Sequence, residues 1–296
     1  MTGTRLTAER LRELPLSTPE AGSKDDRGSV LVLGGCAEVP GAVFLAGIAA
    51  LRAGAGKLKI ASVRSVATAM ALAVPEAMVI GLPETEAGEI DPHPSAARVV
   101  EAAEPCDAVL VGPGMNTCPN TTILACALLS DRPDTAYVLD AGAICGLDPE
   151  IVRALGRPPI ITPHAGEMAQ LLGWGRDAVE ADPLRAARHA AERLRAVVIM
   201  KGAESWIVAP DGTCWNYGGG GVGLATSGSG DALAGIVAGI LARGADPFMA
   251  ALWGVYLHGE AGARLAASVG PVGFLAREIS GEVPQILRTF AKTASA

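Results

Sequence analysis

The chain repeatedly runs a short apolar stretch straight into a glycine or polar turn: SVLVLGG at 29–35, AVLVGPG at 108–114, TAYVLDAGA at 135–143 and PPIITPHAGE at 158–167. Continuous apolar strands, as opposed to alternating ones, suit a parallel sheet covered on both faces. KLKIAS at 57–62 adds another strand, and AVVIMKGAESWIVAPDG reads as strand, turn and second strand closing at Asp211-Gly212. Helical stretches alternate with these runs, among them the middle of VPGAVFLAGIAALRAGAG and the residues from 182 to 196. That order predicts helices layered on both faces of a mainly parallel sheet, with ligands bound beyond the carboxyl ends of its strands. A short polar lead ending in SKDDRG precedes the first strand, and no Pro/Ser-rich linker or repeated module follows. One domain over residues 1–296 is the expectation.

Composition narrows the partners. The net charge of -7, with no basic stretch to offset it, argues against nonspecific nucleic-acid binding. Six cysteines without CxxC spacing read as free thiols of a reducing cytosol. The charged N-terminus lacks the apolar centre of a signal peptide, and no later run reaches the length of a membrane span. A cytoplasmic protein with no membrane partner is expected.

The segment GVGLATSGSGDALAGIVAGILARG, 221–244, carries the clearest chemical signal. Small residues in TSGSGD permit a tight turn and close approach of backbone to a ligand, and the helix beginning there leaves its first amides unpaired. Gly228, Ser229 and Gly230 could therefore form an anion loop, where amides and helix dipole receive phosphate. Asp231 either caps the helix or accepts a proton from a hydroxyl attacking phosphorus. The glycines lack the GKS or GKT of a nucleotide P-loop, and GGCAEVPGA at 34–42 lacks the GxGxxG of a dinucleotide fingerprint.

Other polar residues follow the same strand ends. In TPHAGE, His164 could touch a ligand or fix its loop, and Glu167 could organise a magnesium-bound water or cap the next helix. In KGAES, Lys201 is either a phosphate partner or a solvated lysine, and the turn amides could hold an anion. Asp140 is a cap or a site carboxylate, and Trp206 and Trp215 could cover an adenine or simply pack. His93 reads as part of a proline-flanked loop, whereas His189 and His258 read as helical, so a zinc cluster is not expected. Together these residues favour phosphoryl chemistry.

The ordered segments GSVLVLGG, PGAVFLAGIAALRAGAG, VLVGPG, ITPHAGEMAQLLG, VIMKGAESWIV and LATSGSGDALAGIVAGILARG resemble the ADP/ATP-dependent NAD(P)H-hydrate dehydratases of the ribokinase-like superfamily, across about residues 24 to 290. The resemblance implies a ribokinase-like three-layer α/β/α domain with a mainly parallel central sheet, similar to the stand-alone dehydratase form. It implies repair of (S)-NADHX or (S)-NADPHX, with ADP or ATP phosphorylating the hydrate hydroxyl and phosphate loss restoring NADH or NADPH. ADP giving AMP is the bacterial habit, Mg2+ assists, and relatives form homo-oligomers. By motif match, Asp231 resembles the base, while Ala42, Gly114 and His164 resemble contacts to the hydrated dinucleotide. Lys201, Gly202, Ala203, Glu204 and Ser205 resemble the segment holding the adenosine phosphate, with Gly230 in the nucleotide loop.

Three positions depart from the family pattern. GPGMN replaces the usual GPGLG and places Asn116 at a glycine position; Asp140 is followed by Ala-Gly-Ala instead of Ala-Asp-Ala, so Gly142 lacks a second carboxylate. NYGGGGVGLAT keeps Asn216 without the common downstream Gly-Asn pair. A kinase of another small alcohol and a noncatalytic nucleotide sensor are the competing readings.

Overall fold

The computed structural model describes residues 3–17 and 23–291. Its strands are β1 (Thr4–Arg5), β2 (Ser29–Leu33), β3 (Lys57–Val63), β4 (Ala77–Leu82), β5 (Ala108–Val111), β6 (Ala136–Leu139), β7 (Ile160–Ile161), β8 (Val197–Met200), β9 (Ser205–Val208) and β10 (Cys214–Tyr217). They form one sheet of order β1-β10-β9-β8-β7-β6-β5-β2-β3-β4. From β4 across to β8 every pairing is parallel, and β9 runs antiparallel to both β8 and β10. The mainly parallel sheet expected from the apolar runs is present.

Burial explains the run pattern. Every residue of β2, β5, β6 and β8 is buried. On one face Val30, Val32 and Ile60 pack with the helices Gly41–Arg52, Ser229–Ala242, Pro247–Ser268 and Ala276–Arg288. On the other, Leu31, Leu33 and Val109 pack with Pro92–Ala103, Pro119–Asp131, Ala165–Leu172 and Pro183–Leu194. Side chains alternate across each strand, so consecutive residues serve opposite cores.

The 229–242 helix is apolar around most of its circumference and buried from Ala232 to Ala242. Its small face lies against the 41–52 helix: a Cβ on Gly235 would overlap the carbonyl of Ala46, and one on Gly239 that of Ala50. These two glycines are therefore consumed by packing inside the chain.

Two expectations need correction. The polar lead is part of the fold: β1 pairs with β10, Leu6 and Leu11 are core residues, and Trp253 Nε1 donates to the Leu14 carbonyl at 2.9 Å. Its two buried leucines anchor a segment whose remaining side chains are mostly polar. His93 lies within the 92–103 helix, begun by Pro92 after the cap residue Asp91. Proline at the first helical position lacks only an amide that would be unpaired there. All six cysteines are unpaired, and no helix among the described residues is long and apolar enough to cross a membrane.

Candidate functional site

Strand order reverses at β2, which lies between β3 and β5 although β3 and β4 intervene in sequence. Loops leaving the carboxyl ends of β2 and β5 diverge at such a point and open a crevice. The loops stay tied at their base, with Gly35 N–H donating to the Pro113 carbonyl at 2.7 Å. Ala42 is buried at the start of the 41–52 helix, and a Cβ on Gly114 would stand 2.8 Å from its methyl. These two predicted contacts thus share one wall.

A second hollow, a cleft of about 780 Å³, lies beyond β8 and the start of the 229–242 helix. His164, Lys201, Gly202, Ala203, Ser205, Ser229 and Gly230 line it, uniting most of the residues singled out in three separate motifs. Glu204 is turned away: its carboxylate accepts from Asn216 Nδ2. Ala42 and Gly114 are outside this lining, so His164 keeps company with the predicted nucleotide residues.

The glycine turn ends with Gly228 at φ 87°, a left-handed conformation natural to glycine. Ser229 N–H bonds to Thr226 and Ala232 N–H to Gly228, leaving the Gly230 and Asp231 amides without a backbone acceptor among the described residues. Free donors and the positive end of a buried helix are features able to receive an anion. A Cβ on Gly230 would stand 3.3 Å from Lys201 Nζ, so the glycine keeps room for the ammonium.

Lys201 binds Asp140 at 3.0 Å and lies 3.7 Å from Glu167. Burial acts to lower its pKa, but Asp140 and Glu167 outweigh that effect and hold it above the ordinary lysine value. Asp231 makes no side-chain cap to its helix. Burial, then the charge of Asp140, push its carboxyl up to about 7; Glu167 adds to the rise and Lys201 opposes it. A carboxylate at that value holds and releases a proton near neutrality, as a general base must.

His164 and Glu167 make the capping contacts foreseen for them. His164 Nδ1 accepts from Gly166 N–H at 3.0 Å and Glu167 N–H at 3.2 Å, and Glu167 Oε2 accepts from His164 N–H at 2.8 Å. This reciprocal box starts the 165–172 helix, His164 Nε2 lies 3.4 Å from Glu167 Oε1, and the residue lines the cleft.

Sequence reasoning missed several participants. Tyr217 lines the cleft, whereas Trp206 and Trp215 pack against the two cores. Cβ atoms on Gly219 or Gly259 would overlap the Tyr217 ring, which is wedged between these glycines and meets Tyr256 edge-on. His258 Nε2 lies 2.9 Å from Ser229 Oγ, and burial pushes its pKa down to about 4. It is therefore neutral at pH 7 and fixes the serine without adding charge.

The departures at Asn116 and Gly142 are one feature. A Cβ on Gly142 would stand 2.5 Å from the Asn116 carbonyl oxygen and 2.6 Å from that of Met115. The Asn116 amide meanwhile donates to Glu89 Oε1 at 3.1 Å. The bare glycine lets the GPGMN backbone settle onto the turn after β6, and Asn116 ties that loop to the segment after β4.

Known proteins match this arrangement along nearly its whole length. The family pattern described as NAD(P)H-hydrate dehydratase matches residues 30–285. The ADP-dependent (S)-NAD(P)H-hydrate dehydratase of Xanthomonas campestris is 53% identical over 97% of this chain and 98% of its own. The bifunctional NAD(P)H-hydrate repair enzyme Nnr of Moorella thermoacetica is 37% identical over 96% of this chain, which spans 53% of that protein. A crystal structure of the ADP/ATP-dependent NAD(P)H-hydrate dehydratase from Bacillus subtilis, co-crystallised with ATP/Mg2+, superposes with TM-score 0.84 at 29% identity, covering 98% of this chain and all of that one. With fold, ordered motifs and sequence in agreement over this span, the chain belongs to the NAD(P)H-hydrate dehydratase family.

Proposed function

We propose that the protein dehydrates (S)-NADHX or (S)-NADPHX, coupling repair of the nicotinamide ring to transfer of a phosphoryl group from ADP. The carrying observation is Asp231: no hydrogen bond to its carboxylate is formed among the described residues, and burial and Asp140 push it up to about 7 beside an anion-binding helix start. In the first step Asp231 takes the proton of the ring hydroxyl while that oxygen attacks the terminal phosphorus of ADP, releasing AMP. In the second, the ring loses the phosphate ester and a proton, and the reduced nicotinamide double bond returns. Lys201 and the amides of Gly230 and Asp231 take up charge on the transferring group.

The cleft supports a nucleotide lying along it. Its Lys201, Gly202, Ser205 and Ser229 suit phosphate, and its Tyr217, Leu224, Leu233 and Val255 suit a flat apolar base. The Ala42 and Gly114 wall, at the strand reversal, is left for the hydrated dinucleotide. Its place as substrate explains the missing Rossmann fingerprint.

Magnesium fits as a companion of the nucleotide. Among the described residues no group of three or more His, Cys, Asp or Glu is placed to cage a metal ion. Mg2+ keeps several waters and is commonly held through substrate phosphates, where it screens their charge. Glu167 has both oxygens engaged by His164 and Lys201, so its part is at most through water.

The test is incubation of the purified protein with each S hydrate, Mg2+ and ADP or ATP, following the near-ultraviolet absorbance of reduced nicotinamide. Restoration with a nucleotide, and none without it, is expected. Accumulation of a stable phosphorylated alcohol would favour a kinase of another substrate, and nucleotide binding without turnover would favour a sensor.

A further inference from the structure

Asp140 is committed to the site by its hydrogen bonds and has no role in the chemistry so far. It is 2% exposed, directly after β6. Burying a carboxylate is costly unless it is paired and hydrogen-bonded, and Asp140 is both. Thr162 Oγ1 donates to its Oδ1, and Lys201 Nζ donates to the same oxygen at 3.0 Å. Its backbone is pinned as well. Asp140 N–H bonds to the Val111 carbonyl at 2.9 Å, and any Cβ on Gly112 would overlap the Asp140 carbonyl. The next residue, Ala141, adopts φ 48°, a left-handed conformation uncommon for alanine. Strain of this kind persists where surrounding structure over-determines a position.

These contacts converge on one atom. Lys201 Nζ is held by Asp140 from β6 and by Glu167 from the 165–172 helix, at the place that Gly230 leaves open. We propose that Asp140, itself held by Thr162, is a positioning residue that anchors the Lys201 ammonium beside the anion loop, so that the lysine meets the transferring phosphate and Asp231 remains unpaired for the hydroxyl proton. The assignment rests on the reading of Asp231 as the base. Without Asp140, the ammonium has Glu167 and Asp231 as its remaining carboxylate neighbours. A lysine drawn to Asp231 would both leave the phosphate and occupy the base. The charged groups acting on Asp231 are Asp140, Lys201 and Glu167, so removing Asp140 also removes a negative neighbour.

Full-length Asp140→Asn, Thr162→Val and Thr162→Ser, each with wild type, provide the test in the hydrate-repair assay. Asp140→Asn is expected to lower kcat by about 10²-fold, the scale of a misplaced reacting group, with a smaller change in KM for the hydrate. The acid limb of its pH profile is expected to move to lower pH. Thr162→Val is expected to lower kcat in the same direction with the limb in place, because the Asp140 charge stays, and Thr162→Ser to recover most of that loss. If Asp140→Asn does not fold, the two Thr162 variants decide: equal kcat in Val and Ser overturns the proposal. Wild-type kcat and an unmoved limb in folded Asp140→Asn overturn it too. Wild-type protein that repairs no hydrate would instead sink the functional reading beneath it.

Discussion

Lys201 donates to Asp140 at 3.0 Å, and that pairing leaves Asp231 with an unshared carboxylate in the same charged cluster. Three carboxylates and one ammonium cannot all be neutralised, and the strain falls on Asp231, pushed up to about 7 by burial and by Asp140. As a base it must be deprotonated, so kcat/KM should rise with pH through about 7 and level off above it. A pH profile measures this, and Asp231→Asn should remove about 10²-fold or more of turnover while retaining nucleotide binding.

The same shift has a sign for stability. Between the ordinary carboxyl value of 3.8 and about 7, folded Asp231 keeps a proton that the unfolded chain releases, so its contribution to stability falls as pH rises through that window. Asp231→Asn should therefore raise Tm relative to wild type at about pH 8, with the difference shrinking toward about pH 3, where both states are protonated. Thermal denaturation at the two pH values reads it.

Tyr217 offers the cleft's aromatic surface, held between Gly219 and Gly259. Stacking of a base on such a ring contributes about 1–3 kcal/mol in nucleic-acid sites. Tyr217→Ala should raise KM for the nucleotide roughly 10-fold, the lower part of that range, with KM for the hydrate little changed. Trp206→Phe and Trp215→Phe should leave nucleotide KM near wild type, since both tryptophans pack against the cores. Steady-state kinetics with each substrate varied separates the outcomes.

Gly142 and Asn116 act as one wall. Gly142→Ala would bring a Cβ to 2.5 Å from the Asn116 carbonyl oxygen, and the backbone of GPGMN must move to relieve it. The expected effect is a higher KM for the hydrate with nucleotide KM unchanged, because the displaced loop carries Gly114 and not the cleft. Gly142→Asp, which restores the carboxylate common in the family, should show the same effect with or without Asn116→Gly, because the atoms it meets are backbone carbonyls of Met115 and Asn116.

Gly235 meets the Ala46 carbonyl so closely that Gly235→Ala must separate the 229–242 and 41–52 helices. Overpacking of a buried contact costs about 1–3 kcal/mol, which offsets any gain in helix propensity. A lower Tm is expected, together with reduced turnover because the displaced helix carries Asp231. Gly281→Ala, where a Cβ meets nothing within 4 Å, should leave Tm unchanged or slightly raised.

The sheet was legible where strands are buried on both faces, since SVLVL and AVLV can satisfy no other environment. It was illegible at its margins. β4, AMVIGL, is an edge strand with Met78 exposed, and CWNY of β10 has no apolar run; β1 has two residues and is defined by pairing to β10. At the site, Asp231, Gly230 and Lys201 stood out because small residues and charges at strand ends are locally unusual. Tyr217 was hidden because its position depends on Gly259, far along the chain, and Thr162 because a hydroxyl just after a buried strand gives no sign of its partner. Asp140 was noticed with two readings open, and only the sheet order, which sets β6 and β8 on either side of the short β7, brings Lys201 to it.

The most direct measurement follows (S)-NADPHX or (S)-NADHX, ADP and Mg2+ with wild type and Asp231→Asn side by side, quantifying reduced cofactor, AMP and inorganic phosphate. Equal amounts of all three from wild type, with Asp231→Asn binding ADP but forming none of them at an appreciable rate, is the predicted result. Reduced cofactor formed by Asp231→Asn at the wild-type rate, or formed by wild type without AMP and phosphate when ADP is the sole nucleotide, would contradict the account.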